Sequence, residues 1–136
     1  MEVKLSKELN AVIEELQNKV KQVTGKQRSK RYLLQNLVDT SLELMNIGCL
    51  DIPFDDILKI ETDVDSVVCS IVFPQEMANE LDRITDEQNQ ADYEGFNPPA
   101  MVTKMQVINA VALAGVVVYA EPYDQLINRE KAHLHA

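Results

Sequence analysis

A short pattern occurs twice in this chain, and the repetition restricts the fold more than any other feature of the sequence. Val3-Lys4-Leu5-Ser6-Lys7-Glu8-Leu9, continuing through Ile13 and Leu16, matches Ile71-Val72-Phe73-Pro74-Gln75-Glu76-Met77, continuing through Leu81 and Ile84, at a constant spacing of 68. The match resumes where Tyr32-Leu33-Leu34-Gln35-Asn36-Leu37-Val38 aligns with Met105-Gln106-Val107-Ile108-Asn109-Ala110-Val111 at a spacing of 73, so the second copy has the longer internal loop. Each copy reads as strand, helix, helix. One such unit is too small to bury its own apolar face and must pack against another.

The local patterns support that reading. Met1, Val3 and Leu5 alternate with Glu2, Lys4 and Ser6, as in a half-exposed strand. Ser6 suits a helix N-cap, and Leu9, Val12, Ile13, Leu16 and Val20 recur at helical spacing up to a stop near Gly25. Ser29 is a second N-cap, opening a helix whose broad stripe of Leu33, Leu34, Leu37, Val38, Leu42 and Leu44 implies burial on most sides. In the second copy Val67, Cys69, Ile71 and Phe73 alternate as a strand, Pro74 is expected at the first helical position, and a helix is expected from about Met101 to Tyr119, although Val116-Val117-Val118 would also suit a strand. The expected boundaries are 1–46 for the first repeat, 47–65 for an acidic linker, 66–121 for the second repeat and 122–136 for a tail with a short terminal helix.

Charge is unevenly distributed. The net charge is −9, yet residues 1–36 hold eight Lys and Arg against four Glu, leaving five basic and eighteen acidic residues beyond them. A basic cluster on one face can track phosphates despite an acidic remainder, because exposed charges more than about 8 Å apart are largely screened. Cys49 and Cys69 form no C-x-x-C pair and read as reduced, buried apolar side chains. His133 and His135 lack further ligands, so neither a metal nor a cofactor is expected. The apolar run from Val107 to Ala120 is too short for a membrane span, and charged residues from Glu2 to Glu8 leave no apolar core for a secretory signal, which makes cytoplasmic residence the expectation. No phosphate loop, zinc motif, nucleophile elbow or acid–base set is present, and an enzyme is not expected.

The strings Val3 to Leu9 with Gly25-Lys26-Gln27-Arg28-Ser29-Lys30-Arg31, and Ile71 to Met77 running through Leu81-Asp82-Arg83-Ile84, resemble the ribbon-helix-helix superfamily of Arc-type repressors, in two tandem copies over about 90 residues. The resemblance implies a mainly α fold with short strands paired as an antiparallel two-stranded ribbon, either within one chain or across a symmetric homodimer. It also implies sequence-specific binding of double-stranded DNA, as a transcriptional repressor or accessory factor of phage or plasmid type. In that family the ribbon enters the major groove and the start of each second helix grips a phosphate. Carried onto this sequence, Glu2, Lys4, Ser6 and Ser70 would face bases, and Lys26, Arg28, Ser29, Lys30, Arg31 and Lys104 would meet phosphates.

The second copy departs from the plan, because Val68 and Val72 flank Ser70 on its outward face and an acidic stretch precedes Lys104. A rival reading follows, in which the chain is an acidic interaction protein that inhibits a protein target and keeps the fold as a scaffold.

Overall fold

The computed structural model describes residues 1–48, 67–90, 103–114, 116 and 121–133. The elements run β1 (Glu2–Lys4), α1 (Lys7–Thr24), α2 (Lys30–Asn46), β2 (Val68–Ser70), α3 (Gln75–Gln90), α4 (Lys104–Ala114) and α5 (Glu121–His133). The molecule is mainly helical, with a two-stranded antiparallel sheet. Most of the linker expected over 47–65, the loop beyond residue 90, both ends of the helix expected over 101–119, Cys49 and His135 lie outside the described residues.

Each boundary has a local cause. The Ser6 hydroxyl accepts from the Leu9 N–H at 3.2 Å and caps α1, while Gly25, at φ 74°, takes the left-handed conformation that ends it and donates to the Lys21 carbonyl. Ser29 caps α2 in the same way, through Tyr32 N–H at 3.2 Å. At α4, Thr103 and Gln106 form a reciprocal capping box: the Gln106 N–H donates to the threonine hydroxyl and the Gln106 side chain accepts from the Thr103 N–H. Pro74 sits one residue before the first position of α3 rather than in it, its carbonyl accepting from Ala78 N–H.

The strands pair within one chain. Glu2 faces Ser70, Val3 faces Cys69 and Lys4 faces Val68, and the bonds from Leu5 N–H to the Val67 carbonyl and from Ile71 N–H to the Met1 carbonyl extend the ladder at both ends. This register coincides with the repeat. Residue 2 lies opposite residue 70, its own counterpart at the spacing of 68, so a pseudo-two-fold axis passes between Glu2 and Ser70.

Helix packing obeys the same symmetry. Helix α1 packs on α2 as α3 packs on α4, α1 meets α4 as α3 meets α2, and α2 lies against α4 across the axis. Val3, Leu5, Cys69, Ile71 and Phe73 point inward onto Leu9, Ile13, Leu16, Leu33, Leu37, Leu81, Ile108 and Val111 in one continuous core. Each large aliphatic side chain buried there contributes roughly 1.5–3 kcal/mol. Neither half could bury this surface alone.

Two features break the symmetry. Helix α5 packs on α1 and α2, burying Leu126, Ile127 and Glu130, so the segment expected as a tail is part of the core. The aligned asparagines also differ. Asn109 is fully buried, accepts from the Ser6 N–H at 2.8 Å, and donates to the carbonyls of Lys4 at 3.0 Å and Met105 at 2.9 Å. Asn36 donates to the Tyr32 carbonyl. The reason is covalent: the counterpart of Ser6 is Pro74, which has no N–H to offer.

Candidate nucleic-acid interface

The outer face of the ribbon is built by alternation. With Val3, Leu5, Cys69, Ile71 and Phe73 turned into the core, Glu2, Lys4, Val68, Ser70 and Val72 are exposed. Lys4, Glu2 and Ser70 therefore stand where the sequence placed them. Ser6 does not. It is fully buried, its hydroxyl is occupied by the Leu9 N–H and its own N–H by Asn109, because Ser6, though still extended at φ −63° and ψ 159°, is the N-cap of α1 and turns its side chain onto the helix start. Extending the alternation to residue 6 carried the strand one step too far.

The cationic turn before α2 is partly used up by the protein itself. Arg28 Nε donates to Glu130 Oε2 at 3.1 Å, and its guanidinium lies 4.7 Å from the centre of the Tyr32 ring. The Tyr32 hydroxyl donates to the other oxygen of Glu130 at 2.8 Å, so a carboxylate that is 2% exposed is held by two side chains from the α2 end. Burial, followed by the bond to Glu130, pushes the Tyr32 hydroxyl above the usual tyrosine range. Arg28 is thus a structural cation. It is not available to a phosphate without breaking a buried pair.

Lys30 is tied more loosely. Its ammonium donates to Asn10 Oδ1 at 2.8 Å and Glu14 Oε1 at 3.0 Å, and the bond from Lys30 holds the Glu14 carboxyl below the ordinary glutamate range. Because that glutamate is exposed, the pair is worth little and Lys30 can exchange partners. Lys26 is exposed on the turn and Arg31 on the first turn of α2, and the N-cap Ser29 lies between them beside the first N–H groups of the helix.

In the second half Lys104 pairs with Asp82 at 2.7 Å, and Arg83 bridges Glu80 and Glu87. The two helix starts are therefore unequal. The first offers solvent-facing cations and the second pairs its lysine at the surface.

Sequence reasoning missed Glu130, Tyr32 and Asn109. Leu126, Ile127 and Glu130 do fall on one helical face, but nothing in the order of residues says that this face closes on Arg28, 102 positions away. The pairing of Asn36 with Asn109 in the repeat was visible, whereas their different partners depend on which strand end each one meets.

Among the described residues no cluster of three or more His, Cys, Asp or Glu is placed to hold a metal ion, and no helix is long and apolar enough to cross a membrane. Cys69 is a buried free thiol whose pKa is raised by burial. No protein-family model, curated protein or solved structure matches the chain.

Proposed function

We propose that the chain is a single-chain, two-copy ribbon-helix-helix module that binds duplex DNA, with its ribbon in the major groove and the turn before α2 on the backbone. The single observation that carries the reading is the coincidence of register and repeat: the ribbon pairs each half with its counterpart about a pseudo-dyad, and its outer face is solvent-exposed. A two-stranded ribbon is one of the elements that the major groove admits. Base contacts fall to Lys4, Glu2 and Ser70. Phosphate contacts fall to Ser29 N–H with Lys26 and Arg31, and to Lys30 once it releases Glu14. Repressor or accessory roles of phage or plasmid type follow from this activity and from the family resemblance.

The test is retention on immobilised duplex DNA as salt is raised. Wild type is expected to bind at low salt and elute as salt increases, and the variant Lys4→Ala/Lys26→Ala/Arg31→Ala to lose most retention while keeping its helical circular dichroism. The logarithmic salt slope should fall by about one for each phosphate cation removed. Arg28 is left intact because its loss would disturb α5.

One observation favours a second reading. Val68 is 47% and Val72 85% exposed on the same outer face, and large apolar side chains on a strand face suit a protein partner. Absence of wild-type retention at low salt would select that docking role and reject the DNA reading.

A further inference from the structure

The pseudo-dyad sets different chemistry at equivalent places on the ribbon. Lys4 and Val72 are counterparts at the spacing of 68, toward opposite ends of the outer face, and Glu2 and Ser70 are counterparts at the axis. In a two-fold homodimer both ends would carry the same side chain. A chain that holds both copies is free of that rule, and here the two ends differ: Lys4 stands beside Val68 at one end, while its counterpart at the other end is the isopropyl group of Val72 in place of an ammonium.

We infer that this protein reads a non-palindromic duplex site, with Lys4 donating to a guanine at one end of the ribbon and Val72 packing on a thymine methyl at the other. The inference rests on the DNA-binding reading and adds to it the identity of the bases at the two ends. A lysine ammonium has donors and no acceptor, so it matches the O6 and N7 acceptors that guanine shows in the major groove and is refused by the amino group of cytosine. Valine has no polar atom. Pressed on the edge of guanine, adenine or cytosine it would strip water from a donor or acceptor without replacing the hydrogen bond. Thymine alone offers an apolar group in that groove.

The exposure of Val72 points the same way. At 85% exposed it has the greatest exposure of the large apolar side chains among the described residues, so its surface is available to a partner without rearrangement. Covering one methyl is worth about a four-fold change in affinity. At the axis, ionised Glu2 accepts only, and therefore fits the amino edge of cytosine or adenine.

Selection from a pool of random-sequence duplexes at low salt tests the inference directly. The expected consensus is asymmetric, with guanine at one flank and thymine at the other. In the selected duplex, replacing that thymine by uracil should weaken wild type about four-fold and leave Val72→Ala unaffected, while replacing the flanking guanine by 7-deazaguanine should weaken both proteins and leave Lys4→Ala unaffected. Val72 and Lys4 are both exposed, so neither variant endangers folding, and circular dichroism checks this. A palindromic consensus, or a uracil penalty that persists in Val72→Ala, overturns the inference while leaving DNA binding intact. A pool that is not enriched removes DNA binding itself, and the inference with it.

Discussion

Replacing Asn109 by alanine should damage the fold far more than the same change at its repeat counterpart Asn36. Asn109 is the point where α4 of the second half holds the joint between β1 and α1 of the first. Its removal leaves the buried Ser6 N–H without an acceptor, which costs about 1–3 kcal/mol, and withdraws the donor to the Lys4 carbonyl, worth about 1 kcal/mol more. A small cavity adds to this, so the expected loss is about 3 kcal/mol. The melting temperature should fall by roughly 10 °C for a chain of this size. Asn36 donates to the Tyr32 carbonyl on its own helix, an interaction of about 1 kcal/mol or less. Urea denaturation followed by circular dichroism measures both variants against wild type. Equal losses at the two positions, or a loss below about 1 kcal/mol for Asn109→Ala, would refute the argument that the clamp fastens one half to the other.

Three further outcomes are expected. Tyr32→Phe should cost about 1–2 kcal/mol at neutral pH, because Glu130 loses a donor. The folded-state pKa of Tyr32 is raised, so its contribution is complete below the unfolded value of about 10 and disappears as pH rises through the folded value; the gap between wild type and Tyr32→Phe should narrow in alkaline denaturation curves and stay constant from pH 6 to 9. Gly25→Ala should lose about 1 kcal/mol purely from backbone conformation, since φ is +74° and a Cβ would meet no atom within 4 Å; Gly25→Asn should recover part of that loss in the same urea titration. Ser41→Ala should raise the melting temperature by a few degrees, because the Ser41 hydroxyl is buried with no hydrogen-bond partner among the described residues; a lowered melting temperature would mean that it has one.

The strands, both serine caps, the glycine stop after α1 and the inward stripes were legible because each is set by neighbours a few residues away. Period-two alternation around Val3 and Cys69, and helical spacing from Leu9 to Val20, need no knowledge of the rest of the chain. The repeat implied an antiparallel pairing of the two strands, but a spacing of 68 is compatible with several symmetric registers, and the one that sets Glu2 opposite Ser70 was not legible. What could not be read was how long-range partners would spend the side chains of the candidate site. Arg28 and Lys30 look alike as cations in a turn, yet Arg28 is committed to a buried carboxylate from α5 and Lys30 to an exposed one on α1. Ser6 was misplaced for a smaller reason: its cap role and its strand phase were both readable, and they exclude one another.

The intrachain ribbon also fixes how this molecule responds to dilution. Where two identical subunits supply a strand each, scarcity pulls the assembly apart and the reading head vanishes with it. Here residue 2 finds residue 70 along its own polymer, so assembly is unimolecular and the midpoint of unfolding should not move with protein concentration. Joining such distant partners makes folding slow rather than weak, because the loop must close before any contact repays it.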